Sequence, residues 1–344
     1  MKRAKWFALV SVALLVVAGI VGWQIWRKAF GPGPDFGEPY RVLLIRTGAG
    51  FDEVVDSLNH HGIIADEQAF RLLAKRKKYA QRVKPGRYVL QSGISPNDLV
   101  NKLRSGEQDP VRVTFNTIRR MPELAGKAAS YLESDSTAML RVLLDPAVAR
   151  QYGFAQEEFI GMFIPDTYEM WWTDTPSDFV ARMAREYKAF WTAERKQKAT
   201  SLKLDQGEVS ALASIVQAET GARKDAGNIA GVYLNRLRIG MPLQADPTLK
   251  FALGLDTVSR ILNIDKQVES PYNTYKYTGL PPGPINLPEK PFLDAVLNAP
   301  KHEYLYFCAS EALDGTSNFA KTYEQHLVNA RRYHQALNKR GIYR

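Results

Sequence analysis

The sequence predicts an α+β protein: one membrane-crossing N-terminal helix, a small module of order β-α-α-β, and a larger mixed domain. Three observations predict it. Residues 6–26 carry no charge. Short alternating runs alternate with helix-period stretches between residues 40 and 104. Beyond residue 113, long helix-period segments dominate and are followed by a further alternating run near residue 306.

The uncharged run, through Trp6, Leu9, Val10, Leu14, Leu15, Val16, Val17, Ile20 and Val21, is long enough as a helix to cross roughly 30 Å of hydrocarbon. Trp6, Trp23 and Trp26 lie near its ends, where aromatic belts sit. Lys2, Arg3 and Lys5 precede it and Arg27 and Lys28 follow, a slight bias toward residues 1–5 as a cytoplasmic tail. A cleaved signal peptide is the competing reading. Against it, the run exceeds the roughly 7 to 15 residues of a signal core, and no small-x-small site follows. Either reading places residue 40 onward outside the cytoplasm; with the helix kept as an anchor, that is the outer (periplasmic) face of the inner membrane.

Gly31-Pro32-Gly33-Pro34 cannot continue a helix, so residues 27–38 read as a linker. Within residues 39–112, Tyr40 to Ile45 reads as a strand, Phe51 to His60 and Asp66 to Tyr79 as helices, and Gly86 to Leu90 as a strand. Ser95-Pro96-Asn97-Asp98 supplies a cap, a proline at the first helical position and an early acid, opening a helix to Arg104. Val111 to Phe115 alternates as an edge strand leading into residues 113–344. Helices are expected there over Pro122 to Glu133, Thr137 to Arg150 and Pro176 to Lys198. Asp205 and Glu208 form a capping box for a helix from Gln206 to about Thr220, with Gly221 as its stop.

Glu219 falls in that last helix at i, i+4, i+7 from Leu212 and Val216, in register with apolar residues. A carboxylate held against apolar surface loses hydration, so its pKa rises and it can keep a proton near neutral pH. The negative end of the helix dipole pushes the same way. Such a group is suited to general acid chemistry, although most helical glutamates are simply solvated.

The single cysteine, Cys308, excludes an intrachain disulfide, and its run Tyr304 to Ala309 reads as a buried strand in which it packs as a small hydrophobe. The five histidines show no metal-ligand spacing, and neither a metal nor a cofactor is expected. The net charge is +10, and Arg76, Lys77, Lys78, Arg82 and Lys84 concentrate positive charge. No nucleic-acid motif accompanies them, and an exported domain meets phospholipid headgroups and wall carboxylates instead. A solvated helix face is their commonest explanation.

Around Glu219 stand Phe163-Ile164-Pro165-Asp166-Thr167-Tyr168, Asn235-Arg236-Leu237, Gly240 to Thr248, Ser270 to Tyr275, Gly279 to Ile285 and Lys321 to His326. In this order they closely resemble the endolytic murein transglycosylase family (MltG or YceG-like), over residues 111–344. Residues 40–110 look like the LysM-like module that precedes its catalytic domain. The resemblance implies a membrane-anchored lytic transglycosylase. It would cut the MurNAc–GlcNAc β-1,4 bond within nascent peptidoglycan strands, leave 1,6-anhydro-MurNAc ends and limit elongation beside peptidoglycan synthases. Glu219 matches the catalytic position. Two places depart from the pattern: Gln217 stands where the family often has a glutamate, and Phe159-Ile160-Gly161 where it often reads Leu-Glu-Gly. Both fit a mechanism with one carboxylate, with Asp246 as the candidate second acid.

Gln244, Asp246, Asn273 and Tyr275 are the polar members of these motifs, suited to grip acetamido and hydroxyl groups. Each also has a structural alternative: Asp246 as a helix cap, Asn273 as a turn former, Tyr275 as a core aromatic. The proline-rich 279–284 run should shape a cleft wall rather than join a sheet. Alternative functions are a muramidase that hydrolyses the same bond and a non-catalytic membrane-anchored wall-binding protein.

Overall fold

The computed structural model describes residues 2–220, 223–254 and 261–342. The chain divides into two compact units, one of residues 1–113 with 131–134 and 169–175, the other of the remainder.

The first unit opens with α1 (Lys2–Phe30). Its residues 9–30 are long and apolar enough to cross a membrane. The helix stops where Gly31 and Pro32 deny it further turns, as the linker composition predicts. Next come β1 (Tyr40–Ile45), α2 (Phe51–His60), α3 (Glu67–Arg76), β2 (Gly86–Gln91) and α4 (Pro96–Ser105). The β-α-α-β order is therefore present. β1 and β2 pair antiparallel, with Val42 opposite Val89 and Leu43 opposite Tyr88. Leu43, Val54, Val55, Leu58, Phe70, Tyr88, Leu99 and Leu103 close the core beneath them. Ser95 caps α4 by accepting from the Asp98 N–H at 3.1 Å, with Pro96 at the first helical position. α3 ends earlier than the expected Tyr79, because Lys78 turns left-handed (φ 60°) and Tyr79 is buried from a short 3-10 turn instead.

β3 (Val111–Phe115) pairs with β4 (Asp166–Met170). Between them lie α5 (Met121–Ala129), α6 (Ser136–Leu143) and α7 (Pro146–Gln151). Three expectations are corrected from here to residue 201. The helix expected over 122–133 ends at Ala129; residues 131–134 belong to the first unit, where the Glu133 carboxylate accepts from Thr47 N–H and Oγ1 at 2.8 and 2.6 Å. The helix expected over 137–150 is two, because Asp145 caps a new helix that starts at Pro146, a residue that cannot donate to a preceding turn. The expected 176–198 helix is likewise two, α8 (Pro176–Phe190) and α9 (Ala193–Ser201), with Thr192 capping the second.

α10 (Gln206–Glu219) begins on the Asp205–Glu208 capping box, both bonds of which form, at 2.8 and 2.9 Å. Residues Val209 to Val216 are buried on every face, so α10 is a core helix rather than an amphipathic one. It packs against α11 (Ala226–Arg238), α12 (Asp246–Leu253) and α13 (Lys290–Leu297). The hairpin β5 (Tyr306–Ala309) and β6 (Ser317–Ala320) and the helix α14 (Tyr323–Lys339) complete the unit. Cys308 pairs across the hairpin with Asn318 and is half-buried, so the fully buried strand expected there is also corrected. Residues 279–284 join no strand. Gly283 lies so close to the Glu157 carbonyl that a Cβ would sit 2.3 Å from the oxygen, which requires glycine at that point of the wall.

Candidate active site

Glu219 is the final residue of α10, where the helix leaves its core. Its side chain keeps part of its surface open while the Tyr233 hydroxyl on α11 donates to Oε1 at 2.9 Å. Burial pushes its pKa up to about 7; the Tyr233 bond opposes this, the Asp246 charge adds to it, and Arg236 and Lys250 oppose it more weakly. The carboxyl is thus poised between its two protonation states at neutral pH. Gly221, the expected helix stop, lies outside the described residues.

Tyr233 and Arg236 sit at i and i+3 on α11, with exposures of 1% and 7%. The Arg236 guanidinium donates from Nε to the Leu305 carbonyl at 2.7 Å and from Nη1 to the Leu243 carbonyl at 2.6 Å. Arg236 therefore ties α11 to the segment that leads into Gln244. Burial and the Glu219 charge together hold the Tyr233 phenol far above its usual pKa, so it stays a donor at every working pH.

The 244–246 and 273–275 segments are joined through buried threonines. Gln244 N–H donates to the Thr274 carbonyl at 2.9 Å, Ala245 N–H donates to Thr274 Oγ1 at 3.0 Å, and Thr248 and Thr274 hydroxyls meet at 2.9 Å. This seam holds Gln244 in a left-handed conformation (φ 51°) with its side chain exposed. Asp246 is the first residue of α12 rather than its cap. It accepts from the Tyr275 hydroxyl at 2.5 Å; burial, and after it this bond, raises the tyrosine pKa.

Asn273 departs from the expectation of a sugar contact. It is fully buried; its amide nitrogen donates to the Lys266 and Val268 carbonyls, both at 2.9 Å, and its oxygen accepts from Tyr275 N–H at 3.0 Å and Lys276 N–H at 3.3 Å. With every polar atom committed, it shapes the loop that carries Tyr275. The structure therefore brings Glu219, Asp246 and Tyr275 into one electrostatic group, sets Gln244 exposed beside it, and turns Asn273 inward.

The proline-rich wall has few backbone donors, and α10 side chains supply its attachment. Ser214 Oγ accepts from Ile285 N–H at 3.0 Å, the Ser214 carbonyl accepts from Asn286 Nδ2 at 3.0 Å, and Gln217 Oε1 accepts from Glu289 N–H at 2.7 Å. Gln217, at a place where a second carboxylate is often found, here pins the wall as a neutral amide. A cavity of about 250 Å³ beside Gln217 and Ala218 is lined by Pro247, Lys250, Phe251 and Asn286.

Residues 43–332 match the YceG-like family. The chain belongs to this family. The YceG-like chain is 27% identical to an endolytic murein transglycosylase of Streptococcus pneumoniae strain D39, aligning 92% of this chain with 63% of that protein. It is also 27% identical to one from Bacillus subtilis strain 168, aligning 87% of this chain with 86% of that protein. The chain thus spans under two thirds of the pneumococcal relative's length. The crystal structure of a yceG-like protein from Listeria monocytogenes shares the fold at a TM-score of 0.57 and 25% identity, covering 84% of this chain and 98% of that one.

Tyr233, Arg236, Thr248 and Thr274 were not singled out from sequence. A signal existed for the first two: they continue the apolar i, i+4, i+7 series from Ile229 on α11, the same pattern that marked Glu219. Tyr233→Phe is expected to lower turnover about tenfold, by releasing the orientation of Glu219 Oε1. It also removes the bond that lowers the Glu219 pKa, so the alkaline limb of the rate profile moves to higher pH. A rate loss with an unmoved limb would contradict this positioning role.

Proposed function

We propose that this chain is an endolytic lytic transglycosylase of peptidoglycan, cutting the MurNAc–GlcNAc β-1,4 bond of nascent strands. The observation that carries the reading is a carboxyl raised to about pH 7 at a helix end, oriented by a buried tyrosine. Glu219 passes its proton to the glycosidic oxygen as the bond to C1 breaks. The 6-hydroxyl of the same muramyl residue then attacks C1, and Glu219 takes the hydroxyl proton. One carboxyl completes the cycle, no water is consumed, and the product is a 1,6-anhydro-MurNAc end. Asp246 and Tyr275 supply polar contacts and a negative charge that favours the protonated form of Glu219 before bond cleavage. Gln244 is a further substrate contact, and Asn273 acts through the loop it organises.

In this reading residues 6–26 anchor the protein in the inner membrane with its N-terminus in the cytoplasm. Residues 39–112 form the LysM-like module and residues 113–344 the catalytic domain on the outer face, beside the synthases whose strands it limits. The nearby Asp246 gives a specific reason to weigh a muramidase, in which a second carboxylate activates water. Digestion in oxygen-18 water separates the two by mass spectrometry. Anhydro ends without label are expected; reducing muramyl ends carrying the label would establish hydrolysis, and intact strands would leave a wall-binding role.

A further inference from the structure

A cavity of about 780 Å³ in the second unit lies away from Glu219. Its lining includes Asp205, Gln206 and Gly207 at the N-terminal end of α10, whereas Glu219 is at the other end. A helix of 14 residues separates the two by about 20 Å.

Sequence periodicity explains why the cavity is open. Ala181, Ala184, Arg185 and Lys188 fall at i, i+3, i+4 and i+7 on α8, so a single stripe faces it, with two alanines too small to fill the space. Arg185 and Lys188 stand exposed on that stripe and Lys196 joins them from α9. None of the three has an ion-pair partner among the described residues. The opposite character is also present: burial holds the Tyr187 hydroxyl neutral, and Asp205 and Glu158 lie near enough to add to it. Tyr187 packs edge-on to Phe154 at 5.3 Å and tilted to Trp191 at 6.1 Å, forming an aromatic floor.

Trp191 adds an independent mark. It is 2% exposed, and its Nε1–H makes no hydrogen bond of good geometry, the Tyr187 hydroxyl being its polar neighbour. A ligand acceptor within reach would give this buried donor a better partner.

We propose that this cavity is a second binding site, for a zwitterionic peptide: the amino-acid stem of the polymer whose glycan is cut at Glu219. Three cations meet its carboxylates, Glu158 and Asp205 meet its free amine, and the aromatic floor covers its aliphatic part. A neutral sugar would leave all five charges unused. The choice of polymer rests on the proposed reaction; the zwitterionic character of the ligand rests on the cavity alone. A stem held here would fix its strand in register with the acid at the far end of α10.

The test uses the full chain in detergent micelles and a synthetic stem tetrapeptide with a free terminal carboxylate and one free side-chain amine. Calorimetry should show binding that weakens at least tenfold in the Arg185→Glu/Lys188→Glu variant, whose changes are at exposed positions, and in peptide acetylated at the amine. The same variant should cleave stem-bearing strands at least tenfold more slowly at low substrate while cleaving amidase-stripped strands at the unaltered rate. Absent binding, binding unmoved by the charge reversals, or equal loss on both strand types would overturn the site. Failure of the reaction itself would appear differently, as no cleavage of either strand type by the unaltered protein, and the calorimetric result would still decide the site.

Discussion

Glu219→Gln is expected to lower strand cleavage by about 10³- to 10⁴-fold and, above pH 7, to make the protein more stable. The rate loss follows because in the proposed cycle one carboxyl both gives and takes the proton, and an amide does neither. The stability gain follows from linkage. The folded pKa of Glu219 is raised to about 7 from an ordinary 4.5. Between these values the folded state binds the extra proton, so stability falls as pH rises through that window and stays low above it. Glutamine keeps the hydrogen bond with Tyr233 and carries no charge to desolvate. At pH 8 the variant should gain about 1–3 kcal/mol, discounted for the partial solvent access of the carboxyl, or a few degrees in Tm. At pH 4 the difference should vanish. Calorimetric melts at the two pH values check it; a variant less stable at both would make Glu219 a structural residue.

The second large effect is the pH dependence of kcat/KM in the unaltered enzyme. In the proposed cycle cleavage requires protonated Glu219, so the rate should be level on the acid side and fall tenfold per unit above about pH 7, reaching about 100-fold by pH 9. The one-carboxyl cycle has no second group that must start ionised. A hydrolase using a second carboxylate as base would instead show a bell-shaped profile. The shape of the profile therefore separates the mechanisms as well as locating the acid.

Much of this was legible in the sequence because local chemistry decides it. The Asp205–Glu208 box marked the start of α10, the Ser95-Pro96 pair marked α4, and alternation marked β1 and β2 almost to the residue. Two of the misses came where a proline or a threonine restarts a helix that periodicity alone would continue, at Pro146 and Thr192, and another where Lys78 turns left-handed and ends α3 early. At the site, Glu219 was legible because an acid in an apolar register is conspicuous. The Thr248–Thr274 seam was not, since two ordinary hydroxyls 26 positions apart acquire meaning only when the chain folds them together. Asn273 shows the converse: a polar residue inside a matched motif looked like a ligand contact and proved to be buried scaffolding.

The protonation state of one carboxyl underlies the proposed chemistry, the alkaline limb and the stability difference alike. Infrared difference titration between the unaltered protein and Glu219→Gln reads it through the C=O stretch of the protonated acid. A single band present in the unaltered protein alone, disappearing with a midpoint near pH 7, is the expected result. A midpoint near 4.5, the value of an ordinary exposed glutamate, would contradict Glu219 as the proton donor.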